Sequence, residues 1–308
     1  MNLHRYVGYR WSRGILLGLS VLLGTGTGAS VFQPQAADAA AAQQTATVYK
    51  QFEKYVKNPD SLAQARNYLI NHIKDVGVWQ ATVMTLHLEN AQVAQLPIFS
   101  EKMYGEKVQT TIRAAAQPKE LTYTGLLSKI TDPNVRAVLI EARDKGYKLD
   151  SSEGMYYPVM HYEGFKIFKP FIQKDIAEYI DLMAVESNQP MTRDAAIVIG
   201  WDQVISRTLS KEAFVKKYPA SNRKEAVKLK LSLSRVFFGA SNTPAYDGPV
   251  GEPPKLNPKL RAAYETALNN GPGSSELLQT IAKLLELLDS SNDELTPEVQ
   301  QFLDKHVK

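Results

Sequence analysis

Apolar residues recur at helical spacing along most of this chain, and its prolines and glycines fall where helices begin and end. Asn58 and Pro59 form a cap and first-turn signal, and the apolar residues that follow share one helix face as far as Gly77. A second helix is expected over Trp79–Gln95, closed by Pro97. The pattern predicts a mainly α-helical fold, either a helical bundle or an array of helix hairpins.

Two segments break the helical pattern. Residues 147–160 place Tyr-rich and Val-containing runs on either side of Ser-Ser-Glu-Gly, which predicts one small β-hairpin. Residues 241–258 are rich in proline and glycine, which predicts a linker or a long surface wrap. Further helices are expected after 258 and, between the two segments, over 171–187, 192–208, 210–218 and 222–238.

The first 39 residues have the three parts of an export signal. The positively charged region holds three arginines, Arg5, Arg10 and Arg13. An apolar run follows at 14–23, and a tract of small residues offers cleavage after Ala39 or Ala42. The apolar run is shorter than the roughly 20 residues of a membrane span, which favours cleavage over a retained anchor. We therefore expect a signal peptide at 1–39, a secreted or cell-surface protein, and membrane contact only through this segment if it is retained.

The remaining chain is expected to have three regions, a main helical domain at 40–240, the linker or wrap at 241–258 and a C-terminal helical segment at 259–308. Loss of 1–39 would lower the net charge from +4 to +2, which argues against a nucleic-acid partner. The chain has no cysteine, which excludes disulfides, thiol catalysis and cysteine metal sites. Its stability must therefore come from a hydrophobic core.

Six short segments carry a resemblance, namely 71–73, 81–92, 152–159, 179–187, 200–202 and 239–244. Together they resemble a group of exported proteins of unassigned function from spore-forming Gram-positive bacteria. This resemblance implies a location outside the cytoplasmic membrane, and it brings no catalytic residues. Residues 211–226 resemble the helix, Tyr-Pro-x-Ser turn and helix of extracytoplasmic tetratricopeptide-like repeats, which implies a local helix hairpin.

The histidines do not have the spacing of a metal site. No two of the four that follow the signal segment lie within five residues of each other (His72, His87, His161 and His306). His87 and Glu89 are close in sequence, but residues two apart on a helix point in nearly opposite directions. We therefore expect His87 to be a hydrogen-bonded structural histidine, and we expect no metal and no cofactor.

One segment offers an enzymatic alternative. Ala184-Val-Glu-Ser-Asn-Gln-Pro190 resembles the Glu-Ser-x-x-Pro stretch of lytic transglycosylases and goose-type lysozymes, which implies Glu186 as the general acid. A partly buried position near a helix C-terminus would favour the neutral carboxyl that a general acid needs. The Gly-Leu-Met-Gln element of that family has no counterpart, because Thr192 is expected to begin another helix. The alternative is a structural glutamate paired with Arg193.

Two groups of residues are candidates for contact with a partner. The aromatic excursion predicts a ligand or partner surface at Tyr156, Tyr157, His161 and Tyr162, although these rings could instead pack the hairpin onto the helices. The basic run between 211 and 235 predicts contact with an anionic polymer through Lys216, Lys217, Arg223 and Lys224, although it could instead be the solvated side of a helix pair.

The sequence therefore favours an exported, non-enzymatic binding or interaction protein of the cell envelope or extracellular space. Its partner would be a cell-wall polymer or another exported protein. The alternative is a peptidoglycan-cleaving glycosidase that uses Glu186, and a purely structural assembly protein of the cell surface is a third class that the sequence does not separate from the first.

Overall fold

The computed structural model describes residues 36–116, 121–194, 196–235 and 244–306. The described part is mainly α-helical, as predicted. Its helices are α1 (Ala36–Val56), α2 (Leu62–His72), α3 (Val78–Met103), α4 (Glu106–Ala115), α5 (Tyr123–Lys129), α6 (Pro133–Asp144), α7 (Lys174–Asn188), α8 (Trp201–Lys217), α9 (Lys224–Arg235), α10 (Pro258–Ala267), α11 (Glu276–Ser290) and α12 (Pro297–His306). Its strands form antiparallel pairs, β1 (Tyr147–Ser152) with β2 (Met155–Met160), β3 (Thr192–Arg193) with β4 (Ala196–Ile197), and β5 (Tyr246–Asp247) with β6 (Lys255–Leu256).

The predicted hairpin over 147–160 is confirmed. Its register pairs Tyr147 with Met160 and Ser152 with Met155. The turn between the strands has Glu153 at a φ of 50° and Gly154 at 75°. Two successive residues with positive φ match the right-handed twist of the strands, so this tight turn closes the hairpin without splaying it.

Helix α3 runs through Pro97, so the prediction that Pro97 closes a helix is wrong. A proline removes one backbone donor and leaves the carbonyl four residues earlier, that of Val93, without its usual partner. Both Pro97 and Val93 lie on the exposed side of α3, where water can satisfy that carbonyl. The helix instead ends at Met103, and Gly105 precedes the next one.

The predicted helix over 192–208 is also wrong in its first part. Thr192–Arg193 pairs with Ala196–Ile197 in a short antiparallel bridge, and Asp194 adopts a φ of 51°. Aspartate is one of the few residues that tolerate this left-handed conformation, so the chain turns where a helix was expected. Helix α8 starts only after Gly200 and then continues unbroken, which merges the rest of the segment with the predicted 210–218 helix.

Two hydrophobic clusters make up the interior. The first is built from α1 to α7, β1–β2 and the 3-10 segment Tyr162–Phe171, and it also takes in Phe214 and Val227. The second combines 245–303 with Met191, Val204 and Ile205. Helix α8 therefore contributes its N-terminal half to the second cluster and Phe214 to the first. The second cluster draws residues from both sides of the expected 241–258 wrap, whose described part buries Ala245 and Leu256.

Helix α11 joins the C-terminal helices to α8 through a charged cap. Its buried stripe faces the second cluster and consists of Leu277, Ile281, Leu284 and Leu288. At its N-terminus the Glu212 carboxylate accepts the backbone N–H groups of Glu276 and Leu277 at 2.7 and 3.1 Å, and Ser275 donates its hydroxyl to the same carboxylate. An anionic group suits this position, because the first amides of a helix lack partners inside it.

The predicted signal peptide lies mostly outside the described residues. Within them, the candidate cleavage positions Ala39 and Ala42 fall in the first turns of α1, where Ala39–Gln44 are exposed. The first buried residue of α1 is Val48, so a chain that begins at Ala40 retains every side chain described as buried. Among the described helices none is both long enough and apolar enough to cross a membrane.

Candidate functional site

An open cleft of about 340 Å³ lies between α7 and α8. Its volume is at the lower end of the range for small-molecule sites, roughly 300–1,000 Å³. Both helices supply side chains to its walls, namely Leu182, Val185 and Glu186 from α7 and Asp202, Gln203, Ser206, Arg207, Ser210 and Lys211 from α8. Glu186, the residue that the sequence singled out as a possible acid, therefore lines a cleft of ligand size.

The two walls of the cleft differ in chemistry. The α8 residues recur at intervals of three and four, which puts them on one face of the helix, and Gln203, Ser206 and Ser210 are exposed. On the α7 side Val185 is 46% exposed and offers an apolar surface. Hydroxyl, amide and carboxylate groups therefore face an apolar wall, an arrangement that can hydrogen-bond a polar ligand and also pack against its carbon atoms.

The cationic groups of the cleft are held in ion pairs. Lys211 is only 4% exposed, and its Nζ donates to Glu186 Oε1 at 2.6 Å and to Ser234 Oγ at 3.1 Å. Arg207 lies 3.7 Å from Glu186 Oε2 and donates both terminal nitrogens to Gln189. Burial lowers the pKa of Lys211, and the hydrogen bond to Glu186 partly offsets that effect.

The predicted partner of Glu186 was wrong. Arg193 instead pairs with Asp150 of the hairpin at 2.9 Å. Lys211 holds the Glu186 carboxylate in an ion pair, and Arg207 lies nearby. This pairing opposes a role as general acid, because the carboxyl group of a general acid must be available to the leaving group.

A second polar cluster is internal and surrounds Glu89, which is 5% exposed. Its Oε1 accepts the hydroxyls of Tyr162 and Tyr179 at 2.7 and 2.5 Å, and its Oε2 accepts Arg223 Nε and Nη2 at 3.0 and 2.7 Å. Burial and the charge of Glu89 raise the pKa of both tyrosines. Burial acts to lower the pKa of Arg223, but its interactions with Glu89, Tyr179 and Tyr162 together outweigh burial, and the pKa is raised. This Glu89 network links α3 and α7 to the α8–α9 turn.

Two residues that the sequence placed on contact surfaces belong to this network. Tyr162 was expected in an aromatic surface, but it is 5% exposed and its hydroxyl is bonded to Glu89. Arg223 was expected to face an anionic polymer, but its guanidinium is bonded to Glu89 and Asn90. Neither side chain is presented to a partner.

The other predicted aromatic residues are half-buried. Tyr156 exchanges two backbone hydrogen bonds with the side-chain amide of Gln109, and its ring packs against the first cluster. Burial and the nearby Asp150 raise the pKa of Tyr157. Burial, and secondarily Lys148, lower the pKa of His161. The ring of Tyr156 therefore attaches the hairpin to the helical core, which was the alternative interpretation of the aromatic excursion.

The remaining predicted basic residues divide into two kinds. Lys216 and Lys217 are exposed, but Lys216 donates to the carbonyl of Ser274 at 2.6 Å and Lys217 to Glu178 Oε1 at 2.6 Å. Lys224 is half-exposed, and no described acid lies within ion-pair distance of it. Of the four predicted positions, Lys224 alone keeps its charge available.

His87 and Glu89 bind different partners, as expected from their spacing. His87 Nδ1 lies 2.7 Å from Glu53 Oε1, whereas Glu89 faces Tyr162, Tyr179 and Arg223. Throughout the described ranges no group of three or more histidine, aspartate or glutamate side chains is placed to hold a metal ion.

No family model, curated protein or solved structure matches this chain. The site is therefore interpreted from its own chemistry. Sequence reasoning missed the α8 side of the cleft and the pairing of Glu186 with Lys211. The spacing of Gln203, Ser206 and Ser210 could have indicated the polar wall of the cleft. It was not recognised because a helix break was expected near 209, which would have placed Ser210 on a different helix.

Proposed function

We propose that this chain is an exported, non-enzymatic binding protein of the cell envelope or extracellular space, and that the α7–α8 cleft holds its ligand. The observation that carries the proposal is the state of Glu186 in this cleft. The carboxylate lies in a space of ligand size, but a buried lysine neutralises it, which favours binding over proton transfer.

The cleft suits a neutral, hydroxyl-rich ligand, such as the glycan of a cell-wall polymer. Lys211 and Arg207 are already engaged, so little positive charge remains for an anionic ligand. Exposed Asp202, Gln203 and Ser206 can accept or donate hydrogen bonds to hydroxyl and amide groups. The apolar wall at Val185 can cover the carbon face of a sugar.

One observation keeps a glycosidase as the second candidate. Glu186 and Asp202 line the same cleft, and glycosidases use a pair of carboxyl groups on either side of the bond that they cleave. Catalysis would require Glu186 to exchange its contact with Lys211 for a proton when the substrate binds. Binding and cleavage must therefore be measured in the same experiment.

The test is incubation of the protein from Ala40 to Lys308 with purified Gram-positive cell walls, with sedimentation and released muropeptides recorded together. Ser206→Tyr should fill the cleft and reduce sedimentation on the order of tenfold, since it removes most of the space for a ligand. Ser128→Tyr, on the exposed side of α5, is the matched control and should bind like the parent protein.

Sedimentation without release, lost in Ser206→Tyr and kept in Ser128→Tyr, would support the binding function. Release of muropeptides that Glu186→Gln abolishes would establish the glycosidase instead. Equal sedimentation of the two tyrosine variants would exclude the cleft as the binding site. If the parent protein neither binds nor cleaves, the wall-polymer ligand is refuted, and concentration-dependent oligomers on sizing chromatography would then indicate an assembly role.

A further inference from the structure

The outer face of α9 is unusual for a surface helix because it exposes leucines. One side of α9 is buried at Val227, which belongs to the first cluster, and at Leu231. On the opposite side Leu229 is 63% exposed and Leu233, one turn later, is 58% exposed. The two side chains form a short apolar stripe that nothing in the described part of the chain covers.

Lysines lie on both sides of this stripe. At 100° per residue, Lys228 falls on one flank of the stripe and Lys230 on the other, whereas Lys224 lies near the buried side of the helix. Lys228 is exposed, and Lys224 and Lys230 are half-exposed. Glu225 is the one acidic residue of α9, and it lies on the same outer side.

Among the described residues these three lysines have no ion-pair partner, unlike the neighbouring cations. Lys211, Lys217 and Arg223 each contact a glutamate at 2.6–2.7 Å. No described acid lies within ion-pair distance of Lys224, Lys228 or Lys230. The outer face of α9 therefore carries uncompensated positive charge beside exposed apolar surface.

From this juxtaposition we infer that the outer face of α9 docks on the surface of an anionic lipid bilayer. The leucines would enter the boundary between headgroups and acyl chains, and the lysines would reach outward to the anionic headgroups. This is the distribution of side chains found in helices that lie in the plane of a membrane. The inference does not depend on the α7–α8 cleft, since the residues that it uses are separate from those that line it.

The leucines distinguish a bilayer from a soluble polyanion. A polyanion would recognise the lysines alone and would leave Leu229 and Leu233 in water. A bilayer satisfies both features, because each lysine near an anionic surface and each buried leucine adds to the binding free energy. The charge complementarity and the exposed apolar stripe together favour the membrane.

The test uses the protein from Ala40 to Lys308, which retains the described core and lacks the apolar run of the predicted signal. Cosedimentation is measured with vesicles of phosphatidylcholine alone and with vesicles of equal phosphatidylcholine and phosphatidylglycerol. Binding should appear only with the anionic vesicles and weaken as salt is added. Dextran sulfate serves as the soluble polyanion for comparison.

Two double variants separate the contributions of charge and apolar surface. Lys228→Gln with Lys230→Gln should weaken vesicle binding about 25-fold, from roughly fivefold per lysine. Leu229→Gln with Leu233→Gln should weaken it on the order of tenfold or more while binding to dextran sulfate is unchanged. The matched control is Ile98→Gln on α3, which removes an apolar side chain of similar exposure, 61%, and should change neither.

Loss of vesicle binding in both double variants, with the fold retained by circular dichroism, would support the inference. No binding to anionic vesicles by the parent protein would overturn it. The inference would also be overturned if binding to vesicles and to dextran sulfate were both salt-sensitive and both unaffected by the leucine changes. That result would indicate that the lysines bind an anionic polymer instead.

Discussion

Replacement of Arg223 by methionine tests whether the Glu89 network stabilises the protein. Methionine keeps much of the side-chain volume but removes the positive charge from the Glu89 network. The Glu89 carboxylate would then be left almost fully buried with two tyrosine hydroxyls as its donors and no counterion. If Arg223 were instead a surface residue available to a polymer, as its sequence context suggests, the same change would have almost no effect on stability.

The expected loss is about 3 kcal/mol in the free energy of unfolding. Removal of one partner of a buried ion pair typically costs about 3–5 kcal/mol, and the lower value applies because the arginine side chain is still 16% exposed. For a chain of this size the loss corresponds to a fall in Tm of roughly 6–12 °C. The double variant Glu89→Gln with Arg223→Met should lose less than the sum of the single variants, because it leaves no unpaired charge.

Urea unfolding followed by far-UV circular dichroism measures these differences. The control is Lys224→Met, since Lys224 is the next residue in the chain, is half-exposed and has no ion-pair partner among the described residues. It should change stability by about 0.5 kcal/mol or less. If Arg223→Met and Lys224→Met differ by less than about 0.5 kcal/mol, the described network does not stabilise the protein and the argument fails.

Three further variants test the cap of α11 and the turns on either side of β1. Burial acts to raise the pKa of Glu212, but hydrogen bonds from Ser275 and two backbone amides hold it below its ordinary value. Glu212→Gln should therefore cost about 1–2 kcal/mol at neutral pH, and urea midpoints should converge with the parent protein as the pH falls through that lowered pKa. Gly146 has a φ of 88°, and a Cβ there would lie 2.5 Å from Gln92 Nε2, so Gly146→Ala should cost about 2 kcal/mol or more. Gly154→Ala, with a φ of 75° and open space around it, should cost about 1 kcal/mol, and equal losses in the two variants would contradict the predicted clash.

The parts of the fold that the sequence predicted correctly depend on neighbours along the chain. The hairpin at 147–160 follows from its turn residues, and the helices expected after 258 follow from apolar residues at helical spacing. The prediction that Pro97 ends a helix was wrong for a reason that lies in the tertiary structure. The proline is tolerated inside α3 because that side of the helix faces solvent. Periodicity identifies an apolar face but does not say which polar positions face water.

The candidate site was predicted less well because its contacts are distant in sequence. Glu89 and Arg223 are separated by 134 residues, and no local pattern marks an arginine for burial in a basic run. Glu186 and Lys211 are separated by 25 residues and meet only because α7 and α8 pack side by side. The sequence therefore identified Glu186 as a residue of interest, but its charge environment depended on helix packing that the pattern did not specify.

The adjacent residues Lys211 and Glu212 have a consequence for how the molecule unfolds. Lys211 binds Glu186 of α7 and Ser234 of α9, whereas Glu212 binds the first amides of α11. If either hydrophobic cluster separated from α8, Lys211 or Glu212 would lose its partner. An unpaired, nearly buried charge costs on the order of several kcal/mol of stability. The two clusters should therefore melt in a single cooperative transition, with α8 as the element whose loss releases both.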